Sequence, residues 1–232
     1  MSNGEQRIDP ADFLQRFSTK ALWHFTGYNK TAGQSFDILK KILSENKLKL
    51  GQPDPIIMPD GERRTCFPYS CMCDIPFKDL RIHTLRYGPY GIAFNKTTAI
   101  LRGHFNPVMY VHKDAFLFGH AGKVLKDIDT LIKPHAELSD KLYQHLSIIG
   151  TYIKRSDLTA HVNIGDKILD KEQNNNFYYE REWRSAYEWT FGKGDVLAVM
   201  VQNNDLAVTR ALLRDKGLDG VTVISYEMID ML

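Results

Sequence analysis

Residues 178–184 read Tyr-Tyr-Glu-Arg-Glu-Trp-Arg, and this stretch dominates the fold prediction. Aromatic and long side chains alternate without Gly or Pro, and residues 185–189 continue the pattern, which is typical of a β-strand. Side chains two residues apart on a strand project from one face, so Glu180 and Glu182 are expected to share a face, about 7 Å apart. Two carboxylates this close raise each other's pKa, which suits a general base.

The alternative for this stretch is a solvated edge strand whose acids pair with Arg181 and Arg184. The pleat places Arg181 on the opposite face, and we expect both arginines to be kept apart from the two acids. Clustered acids without a cationic neighbour are candidate site residues. On spacing alone, the solvated strand and the functional site both stay open.

A second short apolar strand is predicted over residues 22–27, which read Leu-Trp-His-Phe-Thr-Gly. His24 and Thr26 share a face by the same period of two, so a donor and acceptor pair is presented together. The alternative for His24 is a buried core histidine with satisfied hydrogen bonds.

The early His strand and the late Glu-x-Glu strand together resemble the ADP-ribosyltransferase fold, whose strands grip NAD from two sides of a split sheet. The chain also resembles the AbiGi-type abortive phage-resistance family and, more distantly, DarT-like nucleic-acid ADP-ribosyltransferases. Members of the AbiGi-type family are described as antitoxins. Four segments carry the resemblance in order: 23–26 with the helix 35–43, then 71–76, 87–94 and 180–184.

The resemblance implies an α+β fold with an ADP-ribosyltransferase-like split sheet, mixed or antiparallel, flanking helices and an NAD cleft. No internal repeat or linker is evident, so a single domain over residues 1–232 is expected. Cleavage of the bond between nicotinamide and ribose passes through an oxocarbenium-like centre that needs a nearby negative charge. The resemblance assigns that role to Glu182, gripping the ribose, while Glu180 orients the acceptor or takes its proton.

The remaining NAD contacts are expected from the N-terminal half. By the same resemblance, His24 and Thr26 bind the adenosine-side ribose and the nicotinamide amide, and Tyr87 or Tyr90 stacks on the nicotinamide ring. A tyrosine packed beside a Gly-Pro turn is an equal alternative for either one. Two arginines, Arg81 and Arg86, are candidates for the pyrophosphate or for solvated positions.

The resulting hypothesis is an NAD-dependent mono-ADP-ribosyltransferase toxin, a glycosyltransferase of an anti-phage abortive-infection or toxin–antitoxin system. Its substrate is NAD+, its acceptor is a nucleic acid or, less favoured, a protein, and a cognate toxin or antitoxin is its partner. The alternative is a catalytically inactive ADP-ribosyltransferase-like antitoxin that binds a partner protein. A metal-dependent hydrolase using Glu180, Glu182 and His24 ranks last, because no further carboxylate has ligand spacing and no metal is expected.

Composition and net charge limit which classes of protein the chain can belong to. The 232 residues are 43% hydrophobic and 25% charged, which is ordinary for a globular chain. A net charge of +2 is too small to indicate nucleic-acid binding. Basic pairs, such as Lys154-Arg155, suit phosphates or solvated faces equally. No stretch reaches the roughly 18 apolar residues of a membrane span, and residues 1–7 lack a signal peptide's apolar core, so a cytoplasmic protein is predicted.

Three cysteines, Cys66, Cys71 and Cys73, lie close together in the sequence. With His83 they number four zinc ligands, but their spacing does not match a zinc knuckle, and buried strand thiols are preferred. The remaining pattern predicts helices over 9–17, from Ser35 to 43, over 133–153 and from Asp205 to Gly217, and strands over 66–74, 91–94, 107–111, 195–201 and 221–225.

Overall fold

The computed structural model describes residues 19–52, 56–57, 63–64, 66–132, 136–157 and 176–231. The chain divides into two compact units. The first comprises Met1–Ser44, Cys73–Ala99 and Gly192–Leu232, and the second Glu45–Met72 and Ile100–Phe191. The single-domain interpretation stays a prediction, and the two units are described one at a time. The helix predicted over 9–17 lies outside the described residues.

The structure is mixed α+β, as predicted. Its helices are α1 Ala32–Glu45, α2 Leu80–Tyr87, α3 Lys96–Leu101, α4 Phe116–Ile132, α5 Ala136–Thr151 and α6 Leu206–Asp215. Its strands are β1 Ala21–Phe25, β2 Lys47–Leu48, β3 Ile56–Ile57, β4 Arg63–Arg64, β5 Ser70–Cys73, β6 Gly91–Asn95, β7 Asn106–Pro107, β8 Met109–His112, β9 Ile153–Ser156, β10 Glu182–Ser185, β11 Trp189–Thr190, β12 Val196–Val201 and β13 Thr222–Ser225.

In the first unit, the strands pair in the order β13-β12-β6-β1. In the second unit, β10 pairs antiparallel with β7. In the first unit, β12 runs parallel to β13 and antiparallel to β6. The apolar run of β12 was predicted to be central, and it lies between two strands with Val199 fully buried.

Helix α1 begins earlier than predicted. Ser35 was expected to cap it, but the helix starts at Ala32 and Ser35 is buried within it. Thr31 and Gln34 exchange hydrogen bonds, the Thr31 N–H donating to the Gln34 side chain at 3.0 Å and the Gln34 N–H to the Thr31 hydroxyl at 3.3 Å. This reciprocal capping box fixes the helix start three residues before Ser35.

Helix α6 begins after Asp205 and ends before Gly217, as predicted, with Thr209 and Leu213 buried. The Asp205 side chain, however, makes no capping hydrogen bond. Its carboxylate lies 2.6 Å from the Tyr90 hydroxyl instead.

The second unit contains elements that the sequence pattern did not predict. The helix expected over 133–153 is α5, and α4 precedes it. Residue Ile153, expected to end that helix, begins β9, which runs parallel to β8. Within the described part of the chain, every helix is too short or too polar to cross a membrane.

Close backbone packing joins two loops of the first unit. The Gly27 N–H donates to the Tyr87 carbonyl at 2.9 Å, and the Cα atoms of Gly27 and Gly88 are near neighbours. A Cβ on Gly27 would lie 2.4 Å from the Tyr87 carbonyl oxygen, so any side chain there would force the backbone apart. Gly88 has φ +77°, in the region that favours glycine.

We expect Gly27→Ala to lower the free energy of unfolding by about 1–3 kcal/mol, because the new methyl group overlaps backbone atoms. Gly33→Ala is the matched control, since a Cβ at Gly33 meets nothing within 4 Å and alanine is preferred in a helix. Urea titration followed by circular dichroism measures both. A Gly27→Ala midpoint equal to that of the control would contradict the packing argument.

Candidate functional site

The predicted continuous strand through Glu180 and Glu182 is wrong. Residues Phe177–Glu180 form a 3₁₀ helix, Arg181 has φ 45° in the left-handed region, and β10 starts only at Glu182. Local hydrogen bonds favour the turn, because the Asn176 side chain accepts from the Tyr178 N–H. The two acids therefore do not share a face through the alternation of one strand.

The two carboxylates nevertheless meet at one cation, Lys154 of β9. Its ammonium lies 2.5 Å from Glu180 Oε2 and 3.1 Å from Glu182 Oε2. Both glutamates are buried. Buried charges of this kind are tolerated only when each has a partner, so Lys154 permits the two acids to lie together.

Arg184 completes this arrangement from the same strand as Glu182. Its Nε donates to Glu182 Oε1 at 2.7 Å and its Nη2 to Glu182 Oε2 at 2.9 Å, a bidentate pair. The expectation that both arginines are separated from the acids is wrong for Arg184, because residues two apart on a strand share a face. Lys154, Glu180, Glu182 and Arg184 are called the charge cluster below.

Neutral groups surround the charge cluster. Arg184 Nη1 donates to the Thr151 carbonyl at 2.6 Å, and its guanidinium lies 4.2 Å from the centre of the Tyr69 ring. The Tyr110 hydroxyl accepts the backbone N–H of Glu182 at 2.8 Å. These contacts hold Arg184 and the start of β10 in place.

At Glu182 the electrostatics differ from the prediction of a raised carboxylate pKa. Burial by itself raises the pKa of Glu182, but Lys154 and Arg184 outweigh it and lower that pKa to about 2. Burial opposes the charge of Lys154 and of Arg184, while Glu180 and Glu182 raise the pKa of Lys154 and Glu182 raises the pKa of Arg184. Glu182 is therefore ionised at neutral pH, and a carboxylate of such low pKa is a weak base.

The four residues predicted to bind NAD lie in the first unit, whereas Glu180 and Glu182 lie in the second. Thr26 and Tyr90 are joined by the backbone, since the Thr26 N–H donates to the Tyr90 carbonyl at 3.1 Å. Thr26 is buried, with its hydroxyl 2.9 Å from both the carbonyl and hydroxyl oxygens of Ser35. His24 is half-buried on β1, opposite Ile92.

The two tyrosine candidates differ in accessibility. The Tyr90 ring is buried and stacks on Phe36, and burial together with Asp205 raises the pKa of its hydroxyl. Tyr87 is only half-buried and contacts Tyr28. The Arg86 guanidinium lies over both rings, 5.5 Å from Tyr28 and 5.7 Å from Tyr87. Of the two, Tyr87 keeps the more accessible aromatic face.

The cysteines are arranged differently from the prediction of three buried thiols. Cys66 and Cys73 are buried, but Cys71 is exposed, although Cys71 and Cys73 lie two residues apart on β5 and share a face of the strand. Among the residues that the structure describes, no three His, Cys, Asp or Glu side chains are grouped as metal ligands would be.

Sequence reasoning named Lys154 only as part of a basic pair for phosphates or a solvated face, and missed that it brings the two acids together. It lies 26 and 28 residues before its partners, so no local pattern connects it to them. The bidentate pair could have been predicted from the sequence, because Glu182 and Arg184 lie two positions apart on a strand and therefore share a face.

Comparison with known families places the chain. The model of a family described as "Putative abortive phage resistance protein AbiGi, antitoxin" matches residues 36–216, a range that contains the whole charge cluster. The chain belongs to the AbiGi family. No curated protein and no solved structure matches it significantly.

Membership confirms the predicted family and the abortive-infection context. The prediction of a toxin is wrong, because the AbiGi family is described as an antitoxin. The ADP-ribosyltransferase resemblance, NAD+ as a substrate and the assigned roles of the site residues stay predictions.

We expect Glu182→Gln to lower the free energy of unfolding by roughly 3–5 kcal/mol, because it leaves Arg184 buried without its counter-charge. Glu188→Gln is the matched control, since Glu188 pairs with Lys47 at the surface and such pairs contribute under about 1 kcal/mol. Equilibrium unfolding in urea compares the two variants. Equal, small losses would show that the charge cluster does not stabilise the fold.

The lowered pKa of Glu182 also predicts a dependence of stability on pH. A carboxyl whose pKa falls from 4.5 to about 2 on folding stabilises the protein above its unfolded value, and this contribution is lost as pH falls through that window. The difference in stability between wild type and Glu182→Gln should therefore shrink from about pH 5 towards pH 2. Parallel stability curves over this range would contradict the assignment.

Proposed function

We propose that the chain is the antitoxin of an abortive-infection toxin–antitoxin system. It neutralises the toxin by binding directly to the toxin protein. The observation that carries this proposal is the match of the AbiGi antitoxin family over residues 36–216.

The charge cluster supports a binding role over a reaction at the two acids. Glu182 is held by Arg184 and Lys154, and Glu180 by Lys154, so their charges are matched within the protein. A carboxylate held by two cations has little capacity to accept a proton.

Exposed apolar side chains give a second line of support. Monomeric proteins seldom expose clustered large apolar side chains unless they mark an interaction surface. On α2, Ile82 and Leu85 are both exposed and lie three residues apart, on one side of the helix.

The proposal is tested by expressing the chain alone and together with the toxin of the same system. Expression alone should leave bacterial growth unchanged, and co-expression should restore growth that the toxin stops. The two purified proteins should form a complex of fixed stoichiometry, measured by light scattering after gel filtration and by titration calorimetry. Toxicity of the chain alone, or rescue without a complex, would overturn the proposal.

The same assay shows whether the charge cluster only stabilises the fold or contacts the toxin directly. We expect Glu182→Gln to rescue growth at temperatures below its melting point and to lose rescue above it, because its defect lies in stability. Glu188→Gln should rescue like wild type at every temperature. Loss of rescue by a folded Glu182→Gln protein would show that Glu182 acts on the toxin or on another ligand.

A further inference from the structure

Helix α4 of the second unit has apolar residues on two faces. Phe118 is buried, and Ala121 and Ile128 are half-buried. On the outward side, Leu117 is 55% exposed, Val124 54% and Leu131 72%. An ordinary surface helix carries polar residues there, so this outward side requires an explanation.

The exposed residues are spaced regularly. Leu117, Val124 and Leu131, called the apolar seam, are separated by seven residues each. Seven residues are close to two helical turns, so the three side chains drift only about 20° per step and form one line. The seam is about 21 Å long at 1.5 Å per residue. A heptad spacing of this kind is the pattern by which one helix packs along another.

The apolar seam is complementary to itself. It is symmetric about Val124, so an antiparallel second copy of α4, related by a two-fold axis at Val124, places Leu117 opposite Leu131 of that copy. The two Val124 side chains then face each other. Two-fold interfaces have this property, because residue i of one copy contacts residue j of the other copy, and residue j of the first copy contacts residue i of the second.

The residues beside the seam are complementary in the same arrangement. His120, Lys123 and Asp127 are exposed on one side of the seam. Antiparallel pairing about Val124 places Asp127 of one copy beside His120 and Lys123 of the other, so opposite charges meet twice. On the other side of the seam, Ala121 of one copy lies beside Ile128 of the other, and both are apolar.

We propose that the chain forms a two-fold symmetric dimer through antiparallel pairing of α4 along Leu117, Val124 and Leu131. The occupant of this face is a second copy of the chain. One pair of 17-residue helices is a small contact area for a specific interface, so the dissociation constant is expected to be on the order of micromolar.

Sedimentation velocity and light scattering of the full chain, from about 1 to 100 µM, test the proposal at concentrations that bracket this value. Wild type should shift from monomer to dimer over this range. Val124→Glu should remain monomeric with an unchanged melting temperature, because it places two carboxylates together at the axis. Val208→Glu is the matched control, since Val208 of α6 is 52% exposed but lies in the first unit, and it should dimerise like wild type.

Cross-linking tests the direction of pairing. In a Cys71→Ser background, Val124→Cys should cross-link to itself with a short bismaleimide, because only a residue on the axis meets its own copy. Leu117→Cys should cross-link when mixed with Leu131→Cys, and neither should do so alone. A wild-type monomer at all concentrations, a dimer of Val124→Glu, or self-cross-linking of Leu117→Cys would each overturn the proposal.

Discussion

The contacts of Lys154 with Glu180 and Glu182 are the constraint on which the second unit depends. They join β9 to a turn and a strand that follow 26 and 28 residues later, with distances of 2.5 and 3.1 Å. Removing these charges from water costs several kcal/mol for each ion, and only complete pairing offsets that cost. The strands and the turn are therefore positioned together, because a missing partner would leave a buried charge.

The same constraint bears on function. Two neighbouring acids are a familiar sign of proton-transfer chemistry, but their meaning depends on the nearest cations. Here Arg184 and Lys154 keep Glu182 ionised and engaged, with a pKa of about 2. This environment agrees with an antitoxin of the AbiGi family, for which recognition of a partner is the proposed activity. Because the four charges of the cluster are paired within the protein, we assign that recognition to its outer surfaces.

The sequence predicted elements whose pattern is local. The apolar run of β12, strand β6, strand β13 and helix α6 lie where periodicity placed them. Helix α4 was missed because Gly119 and Gly122, which have low helix propensity, lie in its first two turns. The start of α1 was misplaced although residues 31–34 contain a capping box, because Ser35 offered a competing cap.

The amino-acid sequence by itself determined the α+β class, the central apolar strand and the AbiGi resemblance, and it drew attention to Glu182. The tertiary structure decided what Glu182 does within the protein. It replaced the predicted strand at Glu180 by a turn, and it supplied Lys154 from a distant segment. A local pattern records which residues share a strand face, but the pKa of a buried acid depends on charges within a few ångströms. Those neighbours are set by how distant strands pair, which no single stretch of sequence records.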